Sequence, residues 1–480
     1  MININKKSIY FDLGISIIFI IEVLFLVMQN PILVYMGTFA SWILILLYSI
    51  NDKGKRAGLL CFEITYFVFL LGGTFFSYII EKQPLFIFDN DILLHTYCLL
   101  YLSQFALYIG YRWSEMNYKE SNQKIKEGET EKININIRYY SLAIMLIALV
   151  PALIVSINNI RYVSVTSYEN LYLRGSNNLP FIINKLEQLF PISFFMFLAT
   201  KPSKKGAIFP ILLYLGVQST TLATGRRTDF VLSLMVVFFY FLIRNYITPQ
   251  EKWIGKKELI AIAIGLPILI LGLVYISNVR DGNTTSISIG DGILKFFKDQ
   301  GVSITVIEYG KALINQIPKQ WYAFGTIIDF LKYNELTQLF HDFQSYAPQS
   351  VEQALYGNSF GDTISYLVIP YNYSQGAGLG SCYMAEMFQN FGVPGVLIIN
   401  IIYGWLLHFS NCRYGKSIIG STFIIFILMR LFYAPRSTPL SFLSSTFTIT
   451  NIIVIVGGVL IMKKFALNKV KIKIRKEKKL

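Results

Sequence analysis

Charged residues are scarce in this chain. Asp, Glu, Lys and Arg make up 15% of its 480 residues, against roughly 25% in an ordinary soluble domain. Hydrophobic residues make up 54%, and runs of about 20 apolar residues recur along nearly the whole length, as is typical of transmembrane helices. The composition excludes an ordinary soluble protein and predicts an all-α polytopic membrane protein.

Cysteine and histidine are also rare, with four and three copies. Cys61 and Cys98 fall in apolar runs, Cys412 falls in a short connection and Cys382 in a long loop, so we expect no extracytoplasmic disulfide. No Cys-x-x-Cys motif or i, i+4 histidine pair is present, and no metal site is predicted. Asp89-Asn90-Asp91 comes nearest to a cation site, but this pattern more often caps a helix. Because no P-loop is present either, ATP is not the expected energy source and no cofactor is predicted.

The net charge of +15 does not indicate a nucleic-acid partner, because Lys and Arg concentrate in short connections and in the C-terminal tail. This is the distribution expected when basic loops stay in the cytoplasm. Met1 to Tyr10 lead directly into an apolar run without a small-residue cleavage site, so we expect no cleaved signal peptide.

The apolar runs predict about twelve spans. They are expected near 10–28, 32–50, 58–80, 91–111, 138–157, 181–199, 207–223, 229–247, 258–277, 393–411, 418–434 and 442–462. A single orientation, with both termini cytoplasmic, leaves every Lys-rich connection inside.

Four regions follow from these spans. A nine-span bundle covers 1–277, an extracytoplasmic loop covers 278–391, and three further spans cover 392–462. The basic tail, 463–480, is expected to contact anionic lipids of the inner leaflet. The polar linker 114–136 is expected to be cytoplasmic and solvated.

Several arginines do not follow the pattern in which basic residues stay in cytoplasmic connections. Several arginines are expected at the outer boundary of the membrane, where charges are costly and usually functional: Arg161, Arg174, Arg226, Arg227, Arg280, Arg430 and Arg436. The guanidinium group is a planar fork that matches phosphate oxygens in a bidentate manner, and the helix expected to begin at Thr228 adds a positive N-terminus. The alternative is structural, with local ion pairs such as Arg226–Asp229 and Arg280–Asp281.

The interval 278–391 is polar, holds many aromatic residues, from Trp321 and Tyr322 to Tyr371 and Tyr373, and is more acidic than the rest of the chain, which indicates the extracytoplasmic half of an active site. His341 stands beside Asp342 in this interval and is either a general base or an ordinary solvated histidine. His95 and His408 are expected to be packing residues. Glu22, in the middle of a span, is expected to be paired inside the bundle, although a proton path of a coupled transporter is the alternative.

Several motifs together resemble the bacterial oligosaccharide repeat-unit polymerases of the Wzy type, which serve O-antigen and capsule assembly. They are Ala223-Thr224-Gly225-Arg226-Arg227, Gly361-Asp362, Gly378-Leu379-Gly380-Ser381 followed by Ala385-Glu386, Phe391-Gly392-Val393-Pro394-Gly395 and Pro435-Arg436-Ser437. The resemblance runs from about Thr220 to Leu440. It implies a bundle similar to the membrane-embedded, GT-C-like glycosyltransferases and related to O-antigen ligases.

The resemblance also implies a reaction. A metal-independent transferase would join a growing glycan on undecaprenyl diphosphate to one lipid-linked repeat unit, in an inner membrane that also holds a flippase and a chain-length regulator. A diphosphate clamp is expected from five arginines: Arg226, Arg227, Arg280, Arg430 and Arg436. For the general base, His341 is the first candidate, Glu386 the second and Asp281 the third. An O-antigen ligase is the rival within enzymes, and a lipid-linked oligosaccharide flippase is the rival of another class.

Overall fold

The computed structural model describes residues 6–83, 88–118, 127–280, 288–334, 337, 340, 341, 343 and 345–465. Within these residues the protein consists of helices and connecting loops, without a strand. The helices are α1 (Lys6–Val27), α2 (Pro31–Asn51), α3 (Ala57–Tyr66), α4 (Gly72–Phe76), α5 (Asn90–Asn117), α6 (Glu127–Val165), α7 (Asn170–Leu173), α8 (Phe181–Ala199), α9 (Lys204–Ser219), α10 (Arg227–Ile247), α11 (Lys256–Arg280), α12 (Ile289–Gly301), α13 (Ser303–Ala312), α14 (Gly325–Tyr333), α15 (Val351–Tyr356), α16 (Phe360–Val368), α17 (Pro370–Ser374), α18 (Tyr383–Arg413), α19 (Ile418–Tyr433), α20 (Ser441–Ser444) and α21 (Ile449–Ile452).

Short 3₁₀ and π-helical turns extend several of these helices. The π-helical turns are Phe67–Leu71, Ser77–Glu81 and Ile453–Gly457, and the 3₁₀ turns are Thr220–Thr224, Tyr322–Phe324 and Ala434–Arg436. The first π turn joins α3 to α4 and carries Phe69, which later contacts the candidate site.

Eleven of the described helices are long and apolar enough to cross a membrane. They coincide with the first eleven expected spans, which confirms the prediction of an all-α polytopic membrane protein. The twelfth expected span, 442–462, differs: α20 ends at Ser444, and helical backbone resumes from 449 to 465 through the last π turn.

The centre of the bundle is the contact between α5 and α18, which pack along most of their lengths. Glycines permit this approach. A Cβ atom on Gly110 would lie 2.1 Å from the carbonyl oxygen of Ile401, and one on Gly404 would lie 2.1 Å from that of Leu107. Because small residues let two helix backbones meet, these glycines set the spacing at the core.

The expected loop 278–391 is largely helical, and its first half packs against the spans. Phe297 of α12 stacks on Phe76 with ring centroids 4.7 Å apart and meets the edge of Phe67 at 5.4 Å. In α13, Val306 and Ile307 are buried in the main core. The interval has a polar average composition, but its short helices each carry an apolar face that requires a partner.

The last part of this interval belongs to a span. Helix α18 begins at Tyr383, well before the expected start near 393, and bends at Gly392, whose backbone is non-helical (φ 61°, ψ −155°). Positive φ favours glycine, and Pro394 disfavours helical geometry in the residue before it. The Gly392–Pro394 motif is therefore a kink within a helix that starts outside the expected membrane boundary.

Two polar residues that the sequence places inside spans, His408 and Glu22, are both buried. His408 lies 2.7 Å from the Ser114 hydroxyl and 3.3 Å from the Cys412 sulfur, as expected of a packing histidine. The expectation of a paired Glu22 is not met, because neither of its buried carboxylate oxygens has a hydrogen-bond partner among the described residues. Instead it packs on Gly37, where a Cβ atom would lie 1.7 Å from Glu22 Oε2.

Candidate active site

The turn that carries Gly225 connects a 3₁₀ turn to α10. Gly225 has a φ of 81°, a left-handed conformation in which glycine is the favoured residue. The Arg226 amide donates to the carbonyl of Thr221 at 3.1 Å, which closes the turn, and α10 begins at Arg227. This geometry places Arg226 and Arg227 at the same end of the bundle as the C-termini of α6, α11 and α19.

Arg227 faces a narrow cavity of about 30 Å³ beside Phe69, Phe296 and Gln300. Its Nη1 atom donates to the carbonyl of Leu273 in α11 at 3.2 Å. Thr228 lines the same cavity. The first turn of α10 thus places the Arg227 guanidinium group at this small space, and the positive N-terminal end of the helix favours an anion nearby.

Arg436 approaches the same wall from another part of the chain. Its Nη1 atom donates to the carbonyl of Gln300 at 3.1 Å, and its guanidinium carbon lies 5.9 Å from the centre of the Phe69 ring. Tyr433 meets the other edge of this wall, 6.0 Å from Phe69. The structure therefore brings Arg227 and Arg436 together around Phe69 and Gln300.

Arg226 forms an ion pair with Asp229, as expected if its role is structural. Its Nη2 atom lies 2.9 Å from Asp229 Oδ2, and the two side chains are 48% and 36% exposed. An exposed pair of this kind contributes roughly 0–1 kcal/mol, so the pairing does not commit Arg226 to a structural role. Partial burial raises the pKa of the nearby Tyr172 hydroxyl, Tyr168 raises it further, and Arg226 opposes the rise.

Arg430 lies near the end of α19 and is half-buried. It acts electrostatically on the Tyr214 hydroxyl, as does Asp229. The guanidinium of Arg430 is therefore close to the side of α10 that carries the Arg226–Asp229 pair. Arg280 ends α11, but its side chain lies outside the described residues.

The three expected bases are not gathered at these arginines. Asp281 lies outside the described residues. His341 is exposed, and its ring lies 5.6 Å from that of Phe343. Glu386 is fully buried at the start of α18 and accepts a hydrogen bond from Ser381, while its other oxygen has no hydrogen-bond partner among the described residues.

Sequence reasoning missed a cleft on the other side of the Gly225 turn. It has a volume of about 470 Å³ and lies between the loop after α6, the 3₁₀ turn and the end of α11. Its wall includes Tyr168 and Glu169. In this region the sequence had indicated only Arg161 and Arg174 as candidate functional residues. The available signal was the pair of aromatic residues Tyr168 and Tyr172, four residues apart in the chain.

Among the residues that the structure describes, no three His, Cys, Asp or Glu side chains are grouped as a metal ion would require. Arg227 and Arg436 are the guanidinium groups that reach the wall formed by Phe69 and Gln300. Neutralisation of an anion here would fall to Arg227, Arg436 and their neighbours.

Fold and site together define a polytopic, all-helical membrane protein with an arginine-lined site at one end of its bundle. A family model described as O-antigen polysaccharide polymerase Wzy matches residues 9–469, and the protein belongs to that family. Its members polymerise glycans, which identifies a polymerising glycosyltransferase type of activity. Neither the curated proteins nor the solved structures give a significant match to this chain.

Proposed function

We propose that the protein polymerises oligosaccharide repeat units carried on undecaprenyl diphosphate, at the extracytoplasmic face of the bacterial cytoplasmic membrane. The product is an O-antigen or capsular polysaccharide. A hydroxyl of the lipid-linked acceptor unit attacks the anomeric carbon of the donor glycan, and the lipid diphosphate leaves. The observation that carries the proposal is the convergence of Arg227 and Arg436 on Phe69 and Gln300.

The chemistry of the leaving group explains why arginines are suited to this place. A departing diphosphate develops negative charge, and fixed guanidinium groups stabilise that charge without reorganising during the reaction. The proposed clamp contains Arg227 and Arg436, with Arg226 and Arg430 beside them and Arg280 at the end of α11. Such a clamp makes the reaction independent of a divalent metal.

The topology proposed for this reaction follows the basic residues. Both termini, the linker 114–136 and the tail 463–480 are cytoplasmic, while the interval 278–391 begins and ends at the extracytoplasmic face. The substrate then arrives from a flippase, and a chain-length regulator of the same pathway acts on the product.

The direct test uses purified protein in liposomes with undecaprenyl-diphosphate-linked repeat units and EDTA. We expect a ladder of glycans that differ by one repeat unit. A requirement for added Mg²⁺ or Mn²⁺ would overturn metal independence, and the absence of a ladder with or without metal would overturn the proposed reaction.

A deletion strain separates the polymerase from its rivals. We expect surface glycan that is one repeat unit long. Loss of all surface glycan would indicate a flippase, and full-length polymer that stays on its lipid carrier would indicate a ligase.

The general base is tested separately. His341→Ala, Glu386→Gln and Asp281→Asn are compared for kcat with purified lipid-linked units. Proton transfer to a positioned base contributes about 10²–10⁴-fold, so the base variant should lose activity on that scale. Unchanged turnover removes that residue as the base.

A further inference from the structure

The cleft beside Gly225, here the Tyr168 cleft, is formed by segments that are distant in sequence. One wall comes from the end of α6 and the loop before α7, another from the 3₁₀ turn, and a third from the end of α11. The lining residues are Val163, Thr166, Ser167, Tyr168, Glu169, Leu222, Ala223, Thr224, Gly225, Tyr275 and Ile276. A volume of about 470 Å³ exceeds what a single ion requires and is in the range of small-molecule sites.

Aromatic side chains supply flat apolar surface in this cleft. The rings of Tyr168 and Tyr172 meet edge to face with centroids 5.4 Å apart, and their hydroxyl oxygens are 2.7 Å apart. Tyr275 enters from α11 and is 70% exposed. Because a tyrosine ring combines an apolar face with a polar tip, these residues can stack on the C–H face of a sugar while contacting its hydroxyl groups.

Hydrogen-bonding groups complete the wall. Thr166, Ser167 and Thr224 contribute hydroxyls, and Glu169 contributes a carboxylate. Within the described part of the chain, no ion pair engages the carboxylate of Glu169, whose backbone carbonyl accepts from the Tyr172 amide at 2.9 Å. Glu169 is thus the acidic group of a cleft that is otherwise aromatic and hydroxylated.

The cleft and the cavity at Arg227 are lined by neighbouring residues of one turn, and the segment before the glycine-rich motif packs on the cleft wall. Gly225 lines the cleft, while Arg227, two residues later, lines the cavity with Phe69 and Gln300. On the other side, Gly376 has a φ of 95°, and a Cβ atom there would lie 2.3 Å from the carbonyl oxygen of Glu169. The segment that leads into α18 therefore packs on the backbone of Glu169 and fixes its position.

The geometry points to an acceptor-saccharide site in the Tyr168 cleft, with Glu169 as the general base. This inference rests on the proposed function. The donor's anomeric carbon is held next to its diphosphate at the arginines, so an acceptor sugar in the cleft approaches it across the Gly225 turn. The acceptor hydroxyl oxygen forms the new bond to the anomeric carbon, its proton passes to the Glu169 carboxylate, and the electron pair of the breaking C–O bond leaves with the diphosphate.

The kinetic test varies donor and acceptor separately with purified lipid-linked substrates. Glu169→Gln should lower kcat by about 10²–10⁴-fold with little change in either KM, and Glu169→Asp should restore part of it. Tyr168→Ala should raise the acceptor KM about tenfold, a loss on the scale of one aromatic contact, and leave the donor KM unchanged. Tyr168→Phe, which keeps the ring, should raise the acceptor KM less than Tyr168→Ala.

Matched controls come from the same face of the protein. Glu352 and Tyr371 are exposed and do not line the cleft, so Glu352→Gln and Tyr371→Ala should behave as wild type. His341→Ala is measured alongside. A Glu169→Gln enzyme with wild-type kcat, or a Tyr168→Ala enzyme with unchanged acceptor KM, overturns the inference while wild-type polymerisation leaves the proposed function intact.

A binding measurement covers the case in which these variants fold poorly. Thr166 lines the cleft and is exposed, so Thr166→Cys should react with a charged maleimide. The free repeat-unit oligosaccharide, without its lipid diphosphate, should slow this reaction and leave a Ser350→Cys control unchanged. Equal rates with and without oligosaccharide would show that the cleft is not a saccharide site.

Discussion

At the scale of single residues, Arg227 and Arg436 are the strongest candidates for the diphosphate clamp, because both reach the wall formed by Phe69 and Gln300. We expect Arg227→Ala and Arg436→Ala each to reduce polymer formation about 10²–10³-fold, the usual cost of removing one donor to a developing anion. Lysine should rescue poorly, since it lacks the bidentate fork. Polymer yield per unit of purified protein is the measurement.

The control for these variants is Arg161→Ala. Arg161 lies near the C-terminal end of α6, where its side chain is exposed, so this variant should keep wild-type yield. Equal losses in all three variants would indicate a general effect of positive charge, and normal yield in Arg227→Ala and Arg436→Ala would exclude the clamp.

The Arg226–Asp229 pair separates a functional arginine from a structural one. If the pair were only structural, removal of either partner should have the same effect. We expect instead that Arg226→Ala lowers polymer yield while Asp229→Asn keeps it, because the exposed ion pair itself contributes roughly 0–1 kcal/mol. Thermal melting in detergent, recorded for both variants, should show small and similar shifts. Matching losses of activity in the two variants would favour the structural role.

At the scale of helices, the crossing of α5 and α18 depends on two glycines. The nearest atoms to a Cβ on Gly110 or Gly404 are backbone atoms, which cannot rotate away as a side-chain tip can. We expect Gly404→Ala to lower the melting temperature and yield of the purified protein, since overpacking costs about 1–3 kcal/mol. Gly216→Ala in α9, where no atom lies within 4 Å of the new Cβ, is the matched control and should be neutral or stabilising.

The helices α12 and α13 show why the sequence did not predict that the first half of the interval 278–391 packs against the spans. Each is too short to read as a span, and the charged residues between their apolar positions lower the average hydropathy of the whole interval. Phe296 and Phe297 nevertheless bind α12 to α4 and to the π turn before it. This packing brings the Gln300 carbonyl to Arg436.

At the scale of the whole molecule, α10 runs from one end of the bundle to the other. It has 21 residues and a length of about 30 Å, which matches the hydrocarbon core of a membrane. Arg227 at its start belongs to the arginine-lined site, while Tyr246 and Ile247 at its end line a different cavity together with Lys55 and Lys416. The two cavities therefore lie on opposite sides of the membrane in the proposed topology.

Cysteine labelling in intact cells tests that topology. We expect Ser350→Cys to react with a membrane-impermeant maleimide from outside, and Lys53→Cys to react only after permeabilisation, because basic connections stay inside. The half-buried Cys98 and Cys412 are replaced in both variants to remove background. The reverse pattern would invert the bundle and move the arginine-lined site to the cytoplasm.

The sequence by itself determined the class of protein, the positions of eleven spans and the group of boundary arginines. These features are local: apolar runs of a given length form helices that cross a membrane, and arginine at a boundary can be recognised one residue at a time. Tertiary structure decided that Arg227 and Arg436 both reach Phe69 and Gln300, that α12 and α13 pack among the spans, and that Glu169 faces a cleft while His341 stays exposed. Helical periodicity shows which face of a helix is buried but not which partner covers it, and the partners here depend on close approaches at Gly110, Gly404 and Gly376.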